Sequence, residues 1–511
     1  GLPISCFLNY VEDSREGITG HYTENAFLSS FGGGIGGSWS DVRSSGTRTS
    51  KGSESTGVIP FVKVVDAEML AFSQGVTRRG SYAAYLHITH PEIEEFLDGR
   101  KPTGGDTNRK FLNLHHGVIL SDRFMETIHL ATKEPGFDDS WELVDPHTKE
   151  VKKVISARAL WVKILQNRME TGEPYIMFEE AVNNDLPDFQ QRKGLYVNHS
   201  NLCSEITLPT NDERTAVCCL SSVNLEYFDE WQNHPSFIPD LVRFLDNVLE
   251  SFINNAPDQL EKAKYSAYRE RSIGLGTMGF HAYLQKLGIP FEGLSASNIN
   301  YGIFEHIKTQ AMEETRKLAV ERGACPDDDT CQVRNAHLLA IAPNASSSII
   351  CGNTSPSIEP FRANAYTQKT KSGSFLQKNK FLEKVLEKYE MNDEKTWRDI
   401  VTNKGSVQHL TFLTDEEKEV FKTAVEINQS WLIEHASQRQ QFICQSQSLN
   451  LFFPPDVSKK DLHNVHMLAW AKNLKTLYYL RSEAISRADT VSNEVKREII
   501  FEQQDCLSCE G

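Results

Sequence analysis

The sequence predicts an α/β fold. Apolar segments of strand length alternate along the chain with segments of helical periodicity, which is the pattern of this fold class. The hydrophobic fraction of 39% in 511 residues is sufficient for a large buried core. At about 150 residues per domain this length indicates three domains, but a large α/β barrel can be longer as a single unit.

The strands are predicted from apolar runs, and the helices from the spacing of apolar residues between those runs. The predicted strands are residues 4–11, 58–65, 82–90, 117–120, 175–178, 215–225, 337–341, 442–452 and 476–480. The predicted helices are residues 158–170, 236–255, 298–322, 380–390, 414–438 and 465–473. Loops are predicted at 31–57, 74–82 and 342–360, which are rich in glycine, serine or basic residues.

Charge and composition exclude two classes of partner. The net charge of −15, from 54 basic and 69 acidic residues, argues against a nucleic-acid surface, although a local pocket can still bind a small anion. No apolar run is long enough to cross a membrane, and residues 1–11 lack the features of a signal peptide. We therefore expect a cytoplasmic protein, in the host cytoplasm if the gene is phage-borne, whose ten cysteines are reduced.

The segment GLGTMG, residues 274–279, matches the GxGxxG pattern of dinucleotide-binding proteins. The preceding residues, YRERSI, are too polar for the buried strand that such a site requires. A helix start packed closely against a neighbour is the favoured interpretation.

The chain ends in a CxxC motif, Cys506 and Cys509. A zinc site would need two further ligands at matching spacing, and no second CxxC is present. Two close thiols on a tether are instead suited to exchange with a buried disulfide. The segment from Tyr479 to Cys506 spans roughly 30 Å as a flexible coil, and up to about 90 Å when fully extended.

Three further motifs have chemical interpretations beside structural ones. In extended backbone, Asn201, Cys203 and Glu205 would share one face, but a turn with a buried cysteine is favoured from spacing alone. Adjacent Tyr478 and Tyr479 are typical of core packing. The serines 346–348 are a candidate phosphate cradle or a polar loop. Cys6 and the pair Cys218-Cys219 are ambiguous by themselves.

Together these motifs resemble one family, the large subunit of class I ribonucleotide reductases. The resemblance covers nearly the whole chain, and the motifs occur in the order of the family. They are ISCFL, SQGVTRRGSYAAYL, NHSNLCSEITLP, VCCLSSVNL, PNASSS with SIEP, KTLYYLRS and the terminal CLSC.

The resemblance implies a ten-stranded α/β barrel around a central finger loop that carries a radical cysteine, surrounded by helices. Cys203 would be the thiyl radical site that abstracts the 3′-hydrogen of the substrate. Asn201 and Glu205 would hold the ribose hydroxyls, with Glu205 taking the 3′-OH proton. The implied activity is the reduction of ribonucleoside diphosphates to deoxyribonucleotides for DNA synthesis.

The resemblance also implies the remaining redox groups. Cys6 and a cysteine on a later strand would supply two electrons and end as a disulfide; the spacing to Asn224 favours Cys218 over Cys219. Tyr478 and Tyr479 would relay an oxidising equivalent from a small subunit with a dimetal-generated radical. This relay favours class I over the cobalamin-dependent class II.

Nucleotide sites are implied at several loops. The substrate diphosphate would lie on Ser5, Asn344, Ala345, Ser346 and Ser347. The sites for dNTP or ATP effectors would involve Asp13, Arg43, Arg78 and Arg79, with the last two carrying the signal to the substrate. The family has no metal in this subunit, and the sequence shows no ligand cluster that demands one.

The expected organisation is a catalytic barrel, residues 1–485, followed by a mobile redox tail, residues 486–511, that thioredoxin or glutaredoxin reduces. The family has a helical region before the first barrel strand, so a split or phage-type chain with a separate N-terminal partner is expected. Self-association into an α dimer is also expected. The alternatives are a non-catalytic regulatory homologue, a cobalamin-dependent relative and a glycyl-radical relative; the complete set of cysteines and tyrosines argues against the first.

Overall fold

A computed structural model describes residues 2–74, 78–370 and 373–482, with only the backbone described at 73, 74, 78, 79, 368–370, 373 and 374. Within these ranges the strands are β1 (Cys6–Tyr10), β2 (Gly34–Ser38), β3 (Ser73–Gln74), β4 (Arg78–Arg79), β5 (Ser81–His87), β6 (His115–Leu120), β7 (Ser140–Val144), β8 (Val151–Ser156), β9 (Tyr175–Phe178), β10 (Ala216–Cys218), β11 (Leu220–Asn224), β12 (Gly274–Met278), β13 (Ala365–Thr370), β14 (Gly373–Lys378), β15 (Leu451–Phe453), β16 (Thr476–Leu477) and β17 (Leu480–Ser482).

The α-helices of the same ranges are α1 (Arg15–Ser30), α2 (Val58–Ala71), α3 (Ile93–Asp98), α4 (Asp122–Lys133), α5 (Ala157–Thr171), α6 (Glu179–Asn183), α7 (Asp188–Arg192), α8 (Phe228–Trp231), α9 (Phe237–Asn255), α10 (Glu261–Glu270), α11 (Phe280–Lys286), α12 (Leu294–Arg322), α13 (Ala345–Ile350), α14 (Lys380–Lys388), α15 (Glu394–Thr402), α16 (Asp415–Val420), α17 (Gln429–Gln440) and α18 (Lys459–Ala471).

One sheet has the strand order β10-β1-β2-β5-β6-β9-β16, with β16 contributed from residues 476–477. Its five central strands are parallel to one another. Helices lie between these strands in the chain, as parallel pairing requires. The edge strands β10 and β16 are antiparallel to β1 and β9.

The second half continues the parallel pattern. β11 pairs with β12, β12 with the segment around Leu339, that segment with Gln447, and β15 with β17. Only Cys219 separates β10 from β11, and only Tyr478 and Tyr479 separate β16 from β17. The two five-stranded halves are therefore joined at both ends, which gives the ten-stranded α/β barrel that the resemblance implies.

A loop passes through the interior of this barrel. The imidazole Nε2 atom of His199 forms a hydrogen bond of 2.8 Å with the carbonyl oxygen of Asn9 on β1. Gly36 on β2 faces the same loop, and a Cβ there would overlap with the carbonyl oxygen of Ser200. β2 therefore needs a residue without a side chain at this position, which makes room for the finger loop.

The predicted strand at 58–65 is wrong, because these residues begin helix α2. The buried side chains of α2 recur at helical spacing and include Val58, Val62, Val65 and Met69. The carboxylate of Glu92 accepts hydrogen bonds from the Val58 backbone N–H at 2.9 and 3.1 Å, which caps the helix from a distant part of the chain.

Other boundaries also differ from the predictions. The single helix predicted at 414–438 is two helices, α16 and α17, and Asn428 caps the second through the Ser430 N–H at 3.0 Å. The segment GLGTMG forms strand β12 and ends on Gly279, the N-cap of α11, so the predicted helix start lies at its last residue and the rest is strand. The predicted close packing is present: a Cβ on Gly274 or Gly276 would overlap with Leu220 or with the Ala340 backbone.

Candidate active site

The finger loop brings Asn201, Cys203 and Glu205 together in the barrel interior, where all three are buried. The backbone turns at Ser204, whose φ is +67°, so these residues form the turn with a buried cysteine that spacing alone favours over extended backbone. The turn places the Asn201 Nδ2 atom 2.9 Å from Glu205 Oε2. The amide and the carboxylate are therefore in direct contact, with Cys203 on the same buried loop.

Both halves of the barrel hold this loop through side-chain hydroxyls. Tyr85 donates to the carbonyl oxygen of Asn201 at 2.8 Å, and Thr476 donates to that of Ser204 at 2.7 Å. Ser448 donates to the carbonyl oxygen of Cys203 at 2.5 Å and also lies 3.2 Å from Glu205 Oε2. The sequence analysis missed these supporting residues; the only signal for Ser448 is its place in the polar run QSQSLN beside a strand.

Burial raises the pKa of Glu205 to about 8, and the nearby Cys6 contributes in the same direction. The hydrogen bonds from Asn201 and Ser448 favour the carboxylate and oppose this shift. Near pH 7 the group is therefore mostly a neutral acid, poised to lose its proton over the range in which enzymes usually work.

Cys6 and Cys218 face each other across the antiparallel pair β1–β10. Both are in the thiol form, and Asn201 Nδ2 lies 3.2 Å from Cys6 Sγ. Residues directly opposite in antiparallel strands have Cα atoms about 4.5–5.5 Å apart, which is within the range a disulfide spans. Burial and the hydrogen bond to Cys6 raise the pKa of Cys218 well above its usual value.

The adjacent Cys219 points away from this pair. Its thiol lies 3.5 Å from the carbonyl oxygen of Leu245 on α9, within the main hydrophobic core. The alternation of side chains along a strand thus separates the two neighbouring cysteines, and the geometry places Cys218 rather than Cys219 beside Cys6.

Tyr478 and Tyr479 belong to a buried cluster that also contains Leu202 and Cys203. The centroids of the two tyrosine rings are 4.3 Å apart. Tyr175 on β9 contacts both rings, at 4.8 and 5.0 Å. Aromatic groups therefore lie next to one another beside the finger-loop cysteine.

The far side of Tyr479 is polar. Its hydroxyl lies 3.2 Å from His115 Nδ1, and that nitrogen is 2.6 Å from the buried carboxylate of Glu173. The guanidinium of Arg481 lies over the Tyr479 ring, 4.2 Å from its centroid. Because the Glu173 carboxylate only accepts, Nδ1 carries a proton, and Tyr479 thus has an imidazole N–H and a cation at the end of the pair.

The serine-rich segment begins a short helix, α13, directly after Asn344, whose φ is +53°. The Asn344 side chain hydrogen-bonds Ser222 Oγ on β11, and Ser5 immediately precedes β1, where its carbonyl oxygen accepts from Gly34. A cavity of about 100 Å³ adjoins α13. Its lining includes three basic side chains, Arg362, Lys378 and Lys380.

The structure describes the side chains of two of the four expected effector residues. Arg43 and Asp13 form an ion pair of 2.9 Å, and the Arg43 backbone N–H donates to the same carboxylate. Arg78 and Arg79 lie in the hairpin of β3 and β4, where only their backbone is described. Cys506 and Cys509 fall outside the described residues.

Two searches of the described ranges gave negative results. In residues 2–74, 78–370 and 373–482, no three or more His, Cys, Asp or Glu residues are arranged to hold a metal ion. None of the helices in those ranges is both long and apolar enough to span a membrane.

The family whose description is "Ribonucleotide reductase, barrel domain" matches residues 4–332 and 328–480. The chain therefore belongs to the ribonucleotide reductase family, and the predicted fold class is confirmed.

Its relatives narrow this to the large subunit. A protein of Frog virus 3 (isolate Goorha) named as a ribonucleoside-diphosphate reductase large subunit is 47% identical over 100% of this chain and 88% of its own length. The large subunit of Invertebrate iridescent virus 3 is 45% identical with the same coverage. The structure of the class Id ribonucleotide reductase α subunit of Actinobacillus ureae matches with a TM-score of 0.83 and 36% identity, over 95% of this chain and 85% of that one. The predicted activity, reduction of ribonucleotides for DNA synthesis, is confirmed at this level.

Proposed function

We propose that this chain reduces ribonucleoside diphosphates through a thiyl radical on Cys203. One observation carries the proposal: the finger loop places Cys203, Asn201 and Glu205 in the barrel interior, and Asn201 also reaches Cys6, which lies opposite Cys218. A hydrogen acceptor, a proton acceptor and a two-electron donor are thereby gathered around one enclosed space.

The arrangement suggests an order of events. The Cys203 sulfur radical takes the 3′-hydrogen atom of the ribose, while Glu205 takes the 3′-OH proton and Asn201 holds the hydroxyls. The 2′-hydroxyl then leaves as water. Cys6 and Cys218 supply two electrons and two protons and become a disulfide, and Cys203 returns the hydrogen to C3′ and recovers its radical.

We propose that Tyr479 and Tyr478 pass the oxidising equivalent to Cys203 from a separate small subunit, with a dimetal centre as the radical source. The contact of the two rings with each other and with the Cys203 cluster supports this route of transfer. The N–H of His115 lies 3.2 Å from the Tyr479 hydroxyl and orients it. The designation of the relatives as large subunits supports a small-subunit partner, and we infer an α dimer for the assembly.

The positions of the substrate and effector nucleotides are also proposals. Ser5, Asn344, Ala345, Ser346 and Ser347 would hold the diphosphate. Ala345 also lines the adjoining cavity, whose three basic side chains favour an anionic ligand. Asp13 and Arg43, with Arg78 and Arg79 on the hairpin, would respond to dNTP or ATP effectors.

We expect Cys218→Ser and Cys219→Ser to differ sharply, although the two residues are adjacent. Without the Cys218 thiol the disulfide cannot form, so steady-state reduction should fall by about 10²-fold or more. Serine at position 219 can still donate to the Leu245 carbonyl oxygen, so that variant should keep most of its activity and lose under about 2 kcal/mol of stability. Steady-state turnover and thermal unfolding of both variants measure this. Equal losses of activity would contradict the pairing of Cys6 with Cys218.

The pKa of Glu205 predicts a pH dependence. A general base acts as the carboxylate, so with a pKa of about 8 in the free enzyme, kcat/KM should rise about tenfold per unit below pH 8 and level off above it. Glu205→Gln should lower kcat by roughly 10²–10⁴-fold while nucleotide binding persists. A pH–rate profile between pH 6.5 and 9 measures the effect, and a flat profile across that range would exclude Glu205 as the base.

The domain division at residue 485 and the tail give another prediction. Replacing Cys506 and Cys509 by serine should stop multiple turnovers supported by thioredoxin or glutaredoxin, because the tail shuttles electrons to the barrel. Turnover supported by dithiothreitol should persist, since a small dithiol reaches the interior directly. Equal losses with both reductants would indicate a structural role for the CxxC.

A further inference from the structure

A second cluster of reactive groups lies outside the barrel interior, around Cys444. This partly exposed cysteine follows helix α17. The backbone N–H groups of Leu338 and Leu339 donate to its sulfur at 3.0 and 3.3 Å. Two donors aimed at one sulfur stabilise a thiolate more than a thiol, because the charged form is the stronger acceptor.

His337 completes a hydrogen-bonded chain behind this sulfur. Its Nε2 atom lies 2.8 Å from the amide oxygen of Gln190, whose amide nitrogen donates to the buried carboxylate of Glu270. Because the Gln190 oxygen only accepts, Nε2 carries a proton. The other ring nitrogen, Nδ1, is buried and has no hydrogen-bond partner among the described residues, and His337 directly precedes Leu338, whose N–H donates to the Cys444 sulfur.

The surrounding charges favour the thiolate. Lys475, which is buried and paired with Asp185 at 2.6 Å, donates to the Cys444 carbonyl oxygen. Burial by itself raises the pKa of Cys444, but the charge of Lys308 and the hydrogen bond with His337 outweigh it, and the pKa falls to about 5. A structural cysteine in an apolar core has the opposite shift.

We propose that Cys444 is a modification site that forms a mixed disulfide with low-molecular-weight disulfides. The thiol proton passes to Nδ1 of His337, and the Cys444 sulfur attacks one sulfur of the reagent. The S–S bond of the reagent breaks as the new S–S bond forms, and the departing thiolate takes the proton from His337. The Cys444 sulfur is oxidised and the departing sulfur is reduced, so the step needs no other reactant.

The site is connected to the finger loop through a few residues of backbone. The Gln445 N–H donates to the Leu339 carbonyl oxygen, and the Ser446 N–H donates to that of Glu205 at 2.9 Å. Ser448, a little further along, holds the carbonyl oxygen of Cys203. An added group on Cys444 therefore displaces the segment that supports the finger loop and lowers reductase activity. This second effect rests on the proposed function, whereas the modification itself does not.

The modification is tested by treating the complete chain with oxidised glutathione at pH 6.0 and mapping the mixed disulfides by peptide mass spectrometry. At that pH roughly nine-tenths of a thiol of pKa about 5 is thiolate, against about 0.3% of an ordinary thiol. The lower intrinsic reactivity of such a thiolate reduces this advantage to roughly fivefold to tenfold. Cys444 should thus be labelled first, ahead of the exposed Cys331 and Cys351, at a rate nearly constant from pH 6 to 8.

Two variants separate the proposed chemistry from simple exposure. His337→Gln should make the labelling rate of Cys444 rise by at least about tenfold between pH 6.0 and 8.0, a range in which the wild-type rate is nearly constant. Lys308→Gln changes a partly exposed side chain, so it tests the charge even if the buried histidine variant fails to fold; its rate should rise by about threefold over the same range. Labelling of Cys444 no faster than that of Cys331 and Cys351 at pH 6.0, or a pH dependence in Lys308→Gln identical to that of the wild type, would overturn the proposal.

The effect on catalysis is measured after irreversible alkylation with iodoacetamide at pH 6.0, in the presence of the small subunit. Activity of the wild-type enzyme should fall at least about tenfold in step with alkylation of Cys444, and Cys444→Ser should keep its activity through the same treatment. Full activity after complete alkylation of Cys444 would overturn the coupling. Untreated enzyme that does not reduce ribonucleotides would instead contradict the proposed function.

Discussion

Cys203→Ser is expected to abolish ribonucleotide reduction, with a loss of more than about 10³-fold. A serine O–H bond is too strong to be oxidised in place of the thiol, and a hydroxyl therefore cannot become the hydrogen-abstracting group. The serine hydroxyl occupies nearly the same volume inside the finger loop. The fold and nucleotide binding should therefore be retained, which circular dichroism and equilibrium binding of the substrate diphosphate can measure.

The matched control is Cys219→Ser, another buried cysteine whose thiol faces the core instead of the interior of the barrel. It should remain active under the same assay. Residual turnover by Cys203→Ser well above the background of the assay would remove Cys203 from the radical role.

Tyr479→Phe is expected to have a comparable effect, a loss of more than about 10³-fold in turnover that starts from the small-subunit radical. Phenylalanine fills the same space between Tyr478, Tyr175 and Arg481, but it has no phenolic O–H that can be oxidised to a radical. Oxidation at this position then becomes too costly. Electron paramagnetic resonance should show the small-subunit radical persisting when substrate and effector are added.

Tyr175→Phe is the control for this variant, because Tyr175 packs against both members of the pair and is equally buried. Its activity should stay within several-fold of the wild type if only the pair transfers the oxidising equivalent. Full activity of Tyr479→Phe would exclude the relay through this residue.

The sequence predicts those barrel strands that are continuous apolar runs, because parallel strands are buried on both faces. It misses the glycine-rich β2, which lies in the predicted loop 31–57, and β12. The error at α2 has a related cause: the run VIPFVKVV has one polar position, Lys63, which is too few to reveal its period. The cap that begins this helix comes from Glu92, more than thirty residues later in the chain. A contact of this kind leaves no local signal. Asn428, in contrast, is a local cap signal that could have divided the helix predicted at 414–438.

Motifs in the sequence predicted which residues form the candidate site, but they did not predict the tertiary contacts that position those residues. Cys203, Asn201 and Glu205 could be selected only by the resemblance, since spacing alone favoured a turn with a buried cysteine, and the turn at Ser204 that joins them depends on hydroxyls from distant strands. The distinction between Cys218 and Cys219 is likewise a property of strand pairing. Sequence spacing favoured the correct neighbour of Cys6 without giving the physical reason.

The position of Cys6 and Cys218 has a consequence for thermal stability. The two residues lie on the strand pair at which the two halves of the barrel meet, so the proposed disulfide is a crosslink that closes a chain segment of about 210 residues. A crosslink over such a length restricts the unfolded chain and stabilises the folded one by about 5 kcal/mol. The oxidised enzyme is then the more heat-resistant form, and every reduction that readies it for another substrate also makes it easier to unfold.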